Sequence, residues 1–114
     1  MQRFLELKIN DKTYNTSKAI EQELYHSDFY WLLECEVDNV KIEIKDNILY
    51  WKSGIFYWGV WHWGVFENGE FLSGDWQGGI FLNGLFNGTW NNGVFKNGTF
   101  KGKKIKGEFP NEKI

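Results

Sequence analysis

The chain carries one cysteine, one proline and two histidines in 114 residues, and it has no glycine before position 54. A lone Cys35 cannot close an internal disulfide, so the fold is not a cysteine-stapled one and a reducing, cytoplasmic setting is expected. With only His26 and His62, no CxxC or HxxxH spacing and no GxSxG turn, neither a metal site nor a nucleophile with its base can be assembled from recognisable parts. No GxxxxGK loop is present to cradle a phosphate. Long apolar runs are missing too: the stretch between Lys52 and Glu67 is broken by Ser53, Gly54, Gly59, His62 and Gly64, which excludes a membrane-spanning helix. The start, MQRFLELKIN, lacks the basic segment and apolar run of a secretory signal. These absences point away from catalysis, and the expectation is a protein that is not an enzyme and needs no cofactor, metal or membrane.

What is abundant is aromatic. Nineteen per cent of the residues are Phe, Trp or Tyr, with seven Trp and ten Phe, enough apolar area to fold a chain of this size alone. All thirteen glycines lie between 54 and 107. Gly54, Gly59, Gly64, Gly69, Gly74, Gly79 and Gly84 step by five. After one step of four come Gly88, Gly93 and Gly98, and after another Gly102 and Gly107. Only Gly78 stands off this ladder. Two positions after its twelve glycines stand eleven aromatics and one exception, Lys104, so the unit reads Gly, variable, aromatic, variable, Asn, repeated about thirteen times from Tyr50 onward. A period of five fits no helical face, which repeats every 3.6 residues. It fits a short extended segment, ring on one side and neighbours on the other, followed by a turn whose Asn and Gly tolerate left-handed backbone.

GVFENGEF and GVFKNGTF resemble the pentapeptide-repeat family, in which a small residue precedes a central Leu or Phe by two positions. The resemblance covers about Tyr50 to Phe109 and implies a right-handed β-solenoid with four units to each square coil. On that geometry residues about twenty apart stack, pairing Trp51 with Phe71, Phe56 with Trp76 and Trp61 with Phe81, so that Trp never meets Trp. TWNNG and VFKNG also resemble the core of MORN repeats, which implies instead a single meandering sheet of short hairpins, and Asn-Gly is a strong hairpin signal. Both geometries remain open at this point.

The first fifty residues read differently and carry six Lys or Arg against ten Asp or Glu, whereas the rest carry seven against five. Leu5, Leu7 and Ile9 alternate with Glu6 and Lys8 as a half-buried strand, followed by an Asn10-Asp11 turn and a short strand near Tyr14. Thr16 or Ser17 is placed to cap a helix that turns Ala19, Ile20 and Leu24 inward. Two further strands are expected, with Leu33, Cys35 and Val37 inward in one and Val40, Ile42 and Ile44 in the other, joined by a hairpin turn at Asp38-Asn39. Repeat arrays need a cover on their first unit. The expected organisation is therefore mainly β: a small α+β capping domain over 1–47, packed on Ile55, Tyr57, Val60 and Val65, and the pentad array over 48–114.

Function is then expected to be binding. Trp58 and Trp63 occupy turn positions where other units have Asn or Ser, and with Tyr57 and His62 they form YWGVWHW. Either the N-terminal segment covers these rings or they anchor a partner, since Trp and Tyr dominate interface hot spots. The expected role is a protein–protein interaction module, an inhibitor or adaptor of the kind found in conflicts between mobile elements or phages and their hosts. One alternative is single-stranded nucleic-acid binding by Lys96, Lys101, Lys103, Lys104 and Lys106, interleaved with Phe95 and Phe100. Another is carbohydrate stacking on the exposed Trp. Outward aliphatics before the rings, at 55, 60, 65, 80, 85 and 94, also suit a homodimer. Cys35, inward on its strand, reads as a buried structural thiol.

Overall fold

A computed structural model describes residues 3–111. The pentads form a β-solenoid of about four turns. Every strand pairing between its successive coils is parallel, which sets aside the meander of antiparallel hairpins. Three units, not four, make a coil. The first side stacks Trp51, Phe66, Phe81, Phe95 and Phe109, the second Phe56, Phe71, Phe86 and Phe100, and the third Trp61, Trp76, Trp90 and Lys104. Trp therefore does lie on Trp: the rings of Trp61 and Trp76 are 4.8 Å apart and within 4° of parallel.

The physical reason is the size of the rings. In the second layer Phe66, Phe71 and Trp76 meet one another edge to face, at centroid distances of 6.5, 5.9 and 6.2 Å, so three large rings already close the cross-section. The two four-residue steps fall at the same corner, between the second and third sides, and shorten the later coils from fifteen residues to fourteen. Coils are tied by backbone hydrogen bonds at a fixed phase. The residue after each ring donates to the ring residue one coil below, as Gln77 N does to Trp61 O at 2.8 Å, and the residue before it donates to a corner glycine, as Asp75 N does to Gly59 O at 2.9 Å.

The corner glycines serve this stacking more than they serve the rings. A Cβ placed on Gly74 would run into the carbonyl oxygen of Gly59 one coil below, and one on Gly79 into that of Gly64. Both residues also have positive φ, 105° and 104°. Backbone passes over backbone at these corners too closely for any side chain.

The N-terminal segment supplies a floor for the first coil. Strands β1 (Phe4–Ile9) and β2 (Lys12–Tyr14) form a hairpin through Asn10 and Asp11, both at positive φ. Helix α1 (Ser17–Tyr25) is capped by Thr16, whose hydroxyl accepts from Ala19 N, and it buries Ile20 and Leu24. Strand β3 (Glu36–Lys45) pairs parallel with β1 and antiparallel with β4 (Ile48–Trp58), and β4 is itself the first two sides of the first coil.

Three expectations are corrected here. The segment around Leu33 is a 3-10 turn (Tyr30–Glu34) that buries Trp31 and Leu32, not a strand. Asp38-Asn39 is a bulge inside β3, with Asn39 at φ 55°, and the hairpin turn is Asp46-Asn47, where both residues have positive φ as a two-residue turn requires. In β1 an irregularity between Phe4 and Glu6 buries Phe4 and Leu7 and leaves Leu5 and Ile9 partly exposed.

The floor joins the array edge-on, through backbone pairing, rather than by covering its outer faces. Ile55 and Val65 are half-buried, and Tyr57 and Val60 are exposed. The third side is floored by Trp31, whose ring meets Trp61 edge to face at 5.4 Å, and by Cys35, which packs under Gly59. Arg3 braces this floor by donating to Leu33 O and Cys35 O and pairing with Glu21 at 3.0 Å. The cores of the two segments are continuous, from Phe4 through Trp31 to Phe95.

Candidate functional site

Among the described residues, Trp51, Trp61, Trp76 and Trp90 are fully buried and Trp31 is 9% exposed, whereas Trp58 and Trp63 are 57% and 48% exposed. The two exceptions flank one strand. Trp58 stands at the corner that leads into the third side of the first coil, and Trp63 at the corner that leaves it. Val60 and His62, both exposed, lie between them around the buried Trp61. Tyr57, 39% exposed, precedes Trp58. Of the four residues singled out in YWGVWHW, Trp58 and His62 border one recess, His62 and Trp63 another, and Tyr57, at the end of β4, lines neither.

Two recesses open on either side of His62, whose ring lies 5.1 Å from that of Trp31. One, of about 220 Å³, is walled by Trp58, Gly59, Val60, His62 and, from the floor, Trp31, Glu34 and Cys35. The other, a groove of about 390 Å³, runs from Trp63 up the corner between the third and first sides past Gln77, Gly78, Asn92 and Glu108. Trp31 stands out in the sequence, with Trp58 and Trp63, as a Trp outside the pentad rule, but nothing there assigns Glu34, Gln77, Asn92 or Glu108 to a site, because only the coil geometry places them beside the two exposed Trp. Gly78, off the ladder, was the one signal in the sequence that could have pointed to the groove.

The five lysines do not form one face. Lys96 follows the first-side ring of the last coil, Lys101 the second-side ring, Lys103 and Lys104 form its third-side strand, and Lys106 precedes the next corner. They encircle the coil, all exposed. Phe95 beneath them is buried and Phe100 half-buried, and the Lys104 ammonium sits 4.5 Å from the Phe109 ring centroid.

Cys35 is 4% exposed, its thiol donating to Trp31 O at 3.4 Å, and burial pushes its pKa up to about 11 from 9.0. Because the folded-state pKa is raised, this group's contribution to stability is complete below pH 9 and is lost as pH rises through about 11. A maleimide at pH 8 should leave the native thiol unmodified while labelling the urea-unfolded chain within minutes; fast labelling of native protein, followed by mass spectrometry, would contradict a buried thiol.

Among the described residues no group of three or more His, Cys, Asp or Glu is placed to hold a metal ion, and no helix is long and apolar enough to cross a membrane. The chain matches no protein-family model, no curated protein and no solved structure.

Proposed function

We propose that this protein is a non-catalytic binding scaffold of the pentad-solenoid type, acting as an inhibitor or adaptor that docks on another protein through Tyr57, Trp58, His62 and Trp63. The supporting observation is the contrast between two Trp and the rest: on a scaffold that buries every other Trp, Trp58 and Trp63 remain about half exposed at adjacent corners of one coil. Trp and Tyr side chains held rigidly bind at low entropic cost, because little rotamer freedom is left to lose. The recess beside Trp58, at about 220 Å³, has the dimensions of one large side chain, the usual form of an anchor pocket. A reducing, cytoplasmic setting suits this reading, since the lone, buried Cys35 would stay a free thiol there. Its test is affinity capture from the native host with wild type and the Trp58→Asn, Trp63→Asn double variant. The variant should melt within a few degrees of wild type and lose a polypeptide that the wild type retains. A double variant that keeps every wild-type partner would overturn the proposal.

A further inference from the structure

The thirteenth glycine lacks a structural reason to be glycine. Gly78 is not among the residues with positive φ, and a Cβ built on it would approach nothing closer than Trp63 Cδ1 at 3.6 Å, an ordinary contact. Its neighbour Gly79, by contrast, cannot carry any side chain. In the coil above, the residue at the same corner is Asn92. What glycine does at 78 is leave the Trp63 indole bare on the side facing the groove. The segment is also held in place from within, since Trp61 Nε1 donates to Gly78 O at 3.2 Å.

The chemistry of the groove selects its ligand. Its lining offers an aromatic platform, the carboxamides of Gln77 and Asn92 as paired donors and acceptors, and His62 and Glu108 as further hydrogen-bonding groups, over a glycine floor. It contains no Lys or Arg, and Glu108 would repel phosphates, which disfavours a nucleic acid. Val94 is its only aliphatic side chain, too little for an apolar peptide anchor. A sugar ring matches both halves of this surface, because its C–H face stacks on an indole while its rim of hydroxyls needs neutral donors and acceptors. The coils rise by 4.8 Å, the ring spacing of Trp61, Trp76 and Trp90, close to the length of one sugar residue, and Gln77, Asn92 and Glu108 come from successive coils along the groove.

We infer that the groove running from Trp63 along Gly78, Asn92 and Glu108 is a binding site for a neutral oligosaccharide, adjoining the recess at Trp58, with which it shares His62. The experiment is titration of the isotope-labelled full chain with millimolar hexasaccharides of β-linked glucose, xylose and N-acetylglucosamine, read by NMR. At least one should shift the Trp63 indole N–H together with the amides of Gly78, Gly79 and Gly93. Trp63→Ala and Gly78→Asn should each weaken that binding about tenfold or more, and Gly78→Asn should do so with an unchanged melting temperature. Trp58→Asn should leave sugar binding intact, and Gly78→Asn, at a residue outside the protein-docking set, should leave protein docking intact, so these two single variants let the two readings fail or succeed independently. The inference is overturned if none of the sugars shifts these resonances, if both groove variants bind as wild type does, or if a single-stranded RNA or a peptide shifts the same resonances at lower concentration than any sugar.

Discussion

Gly79→Ala should destabilise the fold by about 4 kcal/mol, whereas Gly78→Ala, one residue away, should change stability by less than about 1 kcal/mol in either direction. The difference follows from local geometry. At φ 104° an alanine pays for a backbone conformation that L-residues avoid, and its Cβ would also strike the carbonyl of Gly64, with Gly64 N at 2.8 Å behind it. Relief requires the coils to part at that corner. That would stretch the bond from Ile80 N to Gly64 O, now 3.0 Å, and lift Phe81 off Phe66. At Gly78 neither condition holds. Urea unfolding of both variants, followed by tryptophan fluorescence, measures the pair. Losses that agree within about 1 kcal/mol would show that coil-on-coil clearance does not govern these corners. Against a typical total of about 5–15 kcal/mol, the Gly79 loss would remove between about a quarter and four-fifths of the protein's stability.

Trp76→Ala should cost about 5 kcal/mol, at the upper end for an aromatic truncation, while Trp76→Phe should cost about 1 kcal/mol. Trp76 is fully buried, stacked at 4.8 Å on both Trp61 and Trp90, with Phe66, Phe71, Phe81 and Phe86 edge-on around it. The cavity left by alanine cannot collapse, because the coils above and below are held apart by their own backbone ladder, Gln77 N to Trp61 O and Asn91 N to Trp76 O, both 2.8 Å. Phenylalanine keeps most of the stack and removes an indole N–H that is buried with no hydrogen-bond partner among the described residues. The comparison with Trp61→Phe sharpens the test. There the N–H donates to Gly78 O, so the same change should cost roughly 1 kcal/mol more than at Trp76. Calorimetric melting of the three variants decides it, and equal costs at the two sites would contradict the hydrogen-bond assignment.

Much of this architecture is legible in the residues themselves. The five-residue step of glycine and ring specifies extended segments and corners, and the Thr16 cap, the Asn10-Asp11 turn and inward Ile20 and Leu24 all appear where their local chemistry puts them. The failures share a cause. Leu33, Cys35 and Val37 alternate as a strand should, but Trp31 and Leu32 are drawn under the third side of the first coil, and burying them winds the chain into a 3-10 turn. Asp38-Asn39 has turn chemistry, yet continuous pairing of β3 along β4 spends the left-handed Asn39 on a bulge. Trp at 61, 76 and 90 recurs at fifteen and fourteen residues, a period that would have announced three units to a coil.

The candidate site divides in the same way. Trp58 and Trp63 stand out in the sequence because they break the Asn or Ser rule, but whether the N-terminal segment covers them is a question of how that segment attaches. It attaches by the edge of β3 and by Trp31, and so leaves the outer corners bare.

The single cysteine excluded an internal disulfide, and the absence of glycine before position 54 confined the glycine corners to one half of the chain, since those are properties of residue type and spacing alone. The number of sides to a coil, the Trp-on-Trp column and the two recesses beside His62 depended on which rings meet across a layer. Only the packed structure decides that, because the five-residue period sets the phase of each unit but not how many units close a turn.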